Sequence, residues 1–287
     1  MNVSSCARTL GLAFAFSLVP AFGVSQDFEI PPNSTLTLNE PGIVWHQLTL
    51  NDKSVINFDP HLGTVQITVE KLVLKGNSEI DLYPNVPTPD KASTGASRGQ
   101  AGNNPAPQNG ERGGDGSLGA PGTNGIGLTF NIKQVDYTHG ALWIRTDGSP
   151  GGAGGDGGNG GKGSSGPHTC TSNPNGGNGG AGGNGGNGGR GGDVSKVTLT
   201  LGSQTITPLN APGVSPSARP ALANNPGTIV VSGAPGAGGP GGVGGNGGPG
   251  GEGHENHFPC TATDSSSGSG GPHGANGATG ANGSPAQ

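Results

Sequence analysis

The chain has 287 residues, 63 of them Gly and 25 Pro, with 11% charged residues, 4% aromatics and a formal net charge of −5. Ordinary domains hold about 7% Gly and 5% Pro, so a single conventional hydrophobic core spanning the chain is excluded, and the glycines must be either disordered or periodic. The acidic balance and the scattered Arg98, Arg112, Arg145, Arg190 and Arg219 exclude nucleic acid as a partner, because phosphate binding needs a clustered basic face.

Residues 1–25 read as a secretory signal peptide. Arg8 supplies the positive n-region, Leu10 to Val19 form a short apolar run, and Gly23 and Ser25 suit cleavage before Gln26, with Ala21 and Gly23 as a nearby alternative. The run is too short and wrongly flanked for a membrane span, and no later segment is apolar enough to be one. Cys6 precedes the apolar run, which makes it a poor lipid acceptor. The mature protein is expected to be secreted and extracellular, or periplasmic or at the cell surface, in a compartment where disulfides persist.

Residues 26–92 read as an N-terminal β core. The stretch from Trp45 to Phe58 and that from Glu70 to Leu82 share one pattern: Leu-x-Leu, a polar turn with Ser54 or Ser78, then Ile-x-Phe or Ile-x-Leu. Alternation of this kind marks half-buried strands. Residues 93–127 form a first glycine-rich hairpin, with a clean triplet arm from Gly110 to Asn124 and a partly periodic partner from Gly95 to Asn104. Strands return over 128–148, in Phe130-Asn-Ile132, Val135-Asp-Tyr137 and Leu142-Trp-Ile144. A second glycine hairpin covers 149–193, with Gly-Gly-X arms over 151–166 and 176–193. Residues 194–233 hold Val197 to Leu201, a Pro/Ala-rich loop over 203–227, and Thr228 to Val231. The third hairpin, 234–287, has arms over 238–253 and 271–285.

The period of three has a physical cause. A polyproline II thread has three residues per turn and no internal hydrogen bonds. Threads can bond to each other only where facing residues lack a Cβ. Glycine at two positions in three opens two faces and leaves the third for a side chain, so Asp156, Asn159, Lys162, Asn184, Asn187 and Arg190 are expected to point to solvent. Flexible linkers do not keep triplet phase over arms of matched length. A collagen trimer would favour abundant Pro, whereas the longest arms are rich in Gly-Gly. The expected fold is all-β with no α-helix: a β-solenoid or sandwich-like core plus a bundle of antiparallel polyglycine/polyproline II helices, each coil emitting one hairpin from the same edge.

Cys170 and Cys260 lie at two hairpin tips, which matched arms bring to the same end of the bundle, so a Cys170–Cys260 disulfide is expected. The alternative is a metal site built from His168, His254 and His257 with those cysteines, Glu252 and Glu255, although the spacings match no zinc framework. His46, His61, His139 and His273 read as surface or packing residues, and Asp52, Asp59, Glu70, Glu79 and Asp81 as solubilising charges. The chain has no G-x-S-x-G, no H-E-x-x-H and no phosphate loop with a Lys-Ser/Thr tail, and its G-x-G-x-x-G matches follow from composition. No catalytic residue and no cofactor is expected.

The runs 151–166, 176–193, 238–253 and 271–285, with cysteines at their turns, resemble the polyglycine II bundle family, which includes snow-flea antifreeze proteins and glycine-rich tip adhesins of phage tail fibres. The preceding strand segment with its signal looks more like a bacterial secreted collagen-like protein. The leading expectation is a monomeric structural or surface-binding protein, adhesin- or matrix-like, whose partner is an extracellular surface, a glycan or a matrix component. The resemblance implies ice binding as an alternative, with Ala275, Ala278, Thr279 and Ala281 as its candidate face. A polysaccharide-active enzyme on the β core is a further alternative. Circular dichroism of the mature chain before and after thiol reduction tests the bundle and the bridge together. A polyproline II spectrum that melts cooperatively, and at lower temperature once reduced, is the expected outcome.

Overall fold

The computed structural model describes residues 26–99, 101, 107–137, 140–165, 174–202, 204–206, 227–255 and 264–285. Among these there is no α-helix, as the sequence leads one to expect. Eleven strands form two sheets: β1 (Gln26–Ile30), β2 (Thr35–Leu38), β3 (Gly42–Leu50), β4 (Val55–Phe58), β5 (Thr64–Leu74), β6 (Ser78–Asp81), β7 (Gly127–Tyr137), β8 (Leu142–Arg145), β9 (Val197–Leu201), β10 (Gln204–Ile206) and β11 (Ile229–Ser232). The first sheet has the order β1-β3-β5-β7-β9-β10 and the second β11-β8-β6-β4-β2. From β1 to β9 successive strands therefore alternate between sheets, and each of β1 to β7 pairs in parallel with the strand two places on; β8 pairs in parallel with β11, and among the described strands only β9–β10 is antiparallel.

The repeated sequence pattern accounts for this alternation. Leu48 and Leu50 on β3 face Ile56 and Phe58 on β4 across the interior, and Leu72 and Leu74 on β5 face Ile80 and Leu82. Phe130 and Ile132 on β7, Ile144 on β8, Leu199 on β9 and Val231 on β11 continue the same filling. Phe28 and Trp45 stack at 5.5 Å between ring centroids near the first strand. Between sheets the chain turns tightly at Asn33 and Lys53, both with positive φ, a conformation that Asn tolerates better than most side chains. The turns then stack: Asn33 N–H donates to the Asp52 carbonyl and Lys53 N–H to that of Asn77. Glycine is required where turns meet, since a Cβ on Gly140 would overlap the Gly76 carbonyl.

Among the described residues six extended arms leave this core, over 91–99, 108–125, 146–165, 175–195, 234–254 and 265–285, numbered 1 to 6 in chain order. Arms 1, 3 and 5 run on from β6, β8 and β11 of the second sheet and form one layer. Arms 2 and 4 lead back into β7 and β9 of the first sheet and, with arm 6, form the other. Within a layer neighbours are parallel. Gly151 donates to Ala237, Gly154 to Pro240 and Gly157 to Val243, and so on every third residue. Between layers neighbours are antiparallel: Gly180 donates to Gly161, Gly183 to Gly158 and Gly186 to Gly155. These ladders begin before the glycines do, with Thr146 N–H donating to Ser232 and Ala92 N–H to Ala153.

The arms keep the register of the strands they extend. β7 and β9 pair Phe130 with Leu199, and the same offset of 69 residues joins Asp115 of arm 2 to Asn184 of arm 4. β8 and β11 pair Ile144 with Val231, and the same offset of 87 joins Asp156 of arm 3 to Val243 of arm 5.

A half-buried ionic cluster sits where the second sheet hands over to the arms. Arg145 contacts Asp81 at 3.5 Å and Asp147 at 2.6 Å, lies over the Tyr83 ring at 4.7 Å, and Asp147 accepts the Ala234 N–H at 2.7 Å. Glu79, on the same outward face, is 9% exposed. Glu79 and Asp81 are therefore not the solubilising charges that sequence position suggests; they belong to a half-buried junction. Burial raises the Asp81 pKa above the ordinary carboxylate value despite the Tyr83 N–H and Arg145.

Inner arm glycines have no room for a side chain: a Cβ at Gly183 would overlap the Gly114 carbonyl, whereas one at Gly270 would meet only the Gly248 oxygen at 3.7 Å. Gly183→Ala is expected to destabilise the protein by about 1–3 kcal/mol, as overpacking does, and Gly270→Ala to change stability by no more than about 0.5 kcal/mol. Chemical denaturation of the two variants against wild type checks this.

Candidate functional site: the outer faces of the arms

Every third residue of each arm carries its side chain outward, so each layer presents one broad face. On the face of arms 2, 4 and 6 these residues form rows across the arms. Asn109 Oδ1 accepts the Asn178 N–H at 2.9 Å, and Asn178 Oδ1 accepts the Ser269 N–H at 3.0 Å. Asp115, Asn184 and Ala275 make the next such row at 2.7 and 3.0 Å, and Asn124, Asp193 and Ser284 another at 2.8 and 2.6 Å. Asn187 Oδ1 accepts the Ala278 N–H at 2.9 Å. The face of arms 1, 3 and 5 follows the same rule, with Asp156 Oδ1 accepting from Val243 and Asn159 Oδ1 from Asn246, both at 2.9 Å.

This corrects the expectation that these side chains merely point to solvent. They are exposed, yet Asp156, Asn159, Asn184 and Asn187 also satisfy the one main-chain donor per triplet that neither ladder uses. Lys162 and Arg190 act by charge, reaching Glu252 at 3.2 Å and Asp193 at 2.5 Å.

Three positions that follow a residue without a side-chain acceptor are resolved differently. Ala153, Lys162 and Ala181 have no side-chain acceptor, and the residues that follow them across the layer are Pro240, Pro249 and Pro272. Proline brings no N–H, so at those three positions there is no donor to strand. Sequence reasoning missed this code because it compares triplets within an arm. Aligning arms 3 and 5 at an offset of 87, or 4 and 6 at 91, makes the Asn/N–H and Ala/Pro partnerships visible.

The charges on the faces are largely paired with each other. Lys91 holds Asp156 at 2.6 Å and Arg112 holds Asp115 at 2.5 Å. The Lys91 hydrogen bond, then the Val243 N–H, lowers the Asp156 pKa; Arg112, then the Asn184 N–H, lowers that of Asp115; the Ser284 N–H, then Arg190, lowers that of Asp193. Ala275, Ala278 and Ala281 form one methyl column on arm 6. Thr279 does not join it: it shares the outer edge with Asn276 and Asn282, whose side chains reach arm 5. Leu118 on one face and Val243 on the other are large apolar residues with 72% and 61% exposure.

Of the other sequence-predicted positions, Cys170, Cys260, His168 and His257 lie outside the described residues. His254 is described, and its N–H donates to Ser265 Oγ at 2.8 Å. Among the described residues no group of three or more His, Cys, Asp or Glu is placed to hold a metal ion, and no helix is long and apolar enough to cross a membrane. On the β core His46 Nδ1 lies 2.8 Å from Asp27, and Glu70 pairs with Lys133 at 2.5 Å.

No protein-family model matches the chain, and no curated protein does. Among solved structures it is similar to a springtail antifreeze protein from Granisotoma rainieri, described as a nine polyproline type II helical bundle, at 23% identity over 66% of this chain and 95% of that one, with a TM-score of 0.11. At that score the likeness carries no argument.

The lowered carboxylates make the arms acid-sensitive. An unfolded chain takes up protons at the ordinary carboxylate pKa, about 4, before the folded one does. The stabilisation is therefore complete above that pH and is lost as pH falls through the lowered folded values. The thermal midpoint is expected to drop on acidification below about pH 4. Asp156→Asn with Asp193→Asn, which keeps both acceptors and removes both titrations, should flatten that drop in a pH series of melting curves.

Proposed function

We propose that this chain is a secreted, non-catalytic, surface-binding protein in which a β-solenoid core orders a polyglycine II bundle whose flat face docks on an extended extracellular surface, glycan or matrix component. The parallel alternation of strands between two sheets supports the solenoid reading, because a small sandwich would pair its strands largely antiparallel. Hydrogen bonds repeating every third residue on several sides of each inner arm support the polyglycine II reading.

The observation that carries the function is the row structure of the face formed by arms 2, 4 and 6. Its outward N–H groups are largely consumed, its charges are paired, and what it offers is a fixed grid of amide NH2 groups, methyls and hydroxyls, repeating about every 9 Å along an arm. A rigid grid loses little entropy on docking and suits a partner that is itself extended and regular. A second reading, ice binding, draws on the Ala275, Ala278, Ala281 column beside the Asn184 and Asn187 amides. The enzyme reading has less support, since Asp81 on the core is tied to Arg145.

Co-sedimentation of the mature chain with a panel of insoluble glycans and matrix proteins tests the proposal. Leu118→Lys/Ala275→Lys/Ala278→Lys is expected to weaken binding at least about tenfold, the effect of losing about 1.4 kcal/mol, while Val243→Lys on the opposite face leaves it unchanged. No binding to any surface, or equal binding by both variants, would reject it. Thermal hysteresis by the wild-type chain, abolished by the same triple substitution, would move the reading to ice; its absence would remove that alternative.

A further inference from the structure

The two ends of the stack are complementary, and one of them is closed. In the layer of arms 1, 3 and 5, each arm donates main-chain N–H groups at every third residue to the outward-residue carbonyls of the next. Gly151 and Gly157 of arm 3 reach Ala237 and Val243 of arm 5 in this way. Gly238 and Gly244 are the equivalent donors of arm 5, and among the described residues no seventh arm receives them. Arm 6 supplies the substitute. Asn282 Oδ1 accepts the Gly238 N–H at 3.0 Å, Asn276 Oδ1 accepts the Gly244 N–H at 2.9 Å, and Ser267 Oγ accepts the Gly253 N–H at 3.1 Å.

The composition of the arms fits this role. Arms 3, 4 and 5 keep Gly at two positions in three, but arm 6 runs Gly-Ala-Asn, Gly-Ala-Thr, Gly-Ala-Asn over 274–282. The extra side chains stand on the edge where a further arm would lie, and a Cβ there prevents its approach. The first sheet of the β core ends the same way, while β11 forms the edge of the second. Every pair in the first sheet is parallel until β9, whose free edge is taken by β10 turning back antiparallel, with Gln204 opposite Leu201 and Ile206 opposite Leu199.

At the opposite end, β1 is an edge strand, and the carbonyls of Thr94 and Ser97 on arm 1 receive no donor among the described residues. These carbonyls occupy the ladder positions that Asp156 and Asn159 fill in arm 3. The N-terminal end thus offers the groups that an uncapped C-terminal end would seek. Such a head-to-tail contact does not close on itself and produces open fibres, which is the hazard of any unguarded strand edge.

We propose that β10 and the Asn-bearing edge of arm 6 are a built-in stop, which keeps the C-terminal end of one molecule from adding the N-terminal end of a second copy. The test uses the full mature chain and the variant Asn276→Gly/Thr279→Gly/Asn282→Gly, compared by sedimentation velocity over a wide concentration range and by amide exchange. Wild type is expected to stay one small species, and the variant to form assemblies that lengthen with concentration. Exchange at Gly238 and Gly244 should quicken about five- to tenfold, as the loss of one hydrogen bond implies. Asn276→Asp/Asn282→Asp keeps the acceptors and should behave as wild type in both assays. If the triple variant does not fold, Asn276→Gly alone is read at Gly244, with Gly157 as the internal reference. Unchanged exchange at Gly244, a folded triple variant that sediments as wild type, or head-to-tail fibres of wild type itself would each overturn the proposal.

Discussion

The arms exist as ordered structure because their main chains approach one another to hydrogen-bonding distance, and a single methylene at the contact positions forbids that approach. A Cβ built on Gly157, Gly180, Gly186 or Gly245 would overlap a carbonyl oxygen of a neighbouring arm. Glycine is also the residue that loses most freedom on ordering, and main-chain hydrogen bonds contribute only about 1 kcal/mol net each. An isolated Gly-Gly-X thread is therefore not self-ordering. The neighbours must already be placed, and the β core places them.

Placement includes register, which the triplets do not specify. Shifting one Gly-Gly-X arm past another by three residues restores every glycine contact, so the ladder alone has many equivalent solutions. Two devices remove the degeneracy. The strands, whose alternating side chains cannot slip without exposing Phe130, Leu199 or Ile144, pass their offsets of 69 and 87 directly into the arms. The outward residues then reinforce the choice. A shift of three would set Pro240 against Asp156, leaving its Oδ1 without the N–H it now accepts, and would set other N–H groups against Ala153 and Lys162, which have no side-chain acceptor to give.

The period of three, the pairing of arms into hairpins and the strand pattern around Leu48-x-Leu50 and Ile56-x-Phe58 are all local, and they were legible in the sequence. What stayed hidden depends on which residue lies opposite which. Asn184 looks like any solvent-facing Asn until Ala275 is known to be its neighbour. Thr279 looks equivalent to Ala278 until the arm is given an inside, an outside and an edge. Glu79 and Asp81 sit at alternate polar positions of a strand, and nothing local announces that Arg145, which is 64 residues further on from Asp81, lies beside them. The half-buried cluster is a tertiary fact and carries no sequence signature of its own.

The same economy that makes the proposed bundle a good docking surface makes it a hazard. A slab held together by main-chain groups has the same groups at its margins, and those margins recognise any chain of the same kind. A conventional core hides its adhesive material, whereas a glycine ladder exposes it along every unfinished edge. Side chains must therefore do at the margin what glycine permits in the interior: Asn276 and Asn282 accept the last donors and fill the space of the next thread. A face able to meet a partner and an edge unable to meet another copy are then two consequences of one rule. That rule is the placement of the Cβ within each triplet.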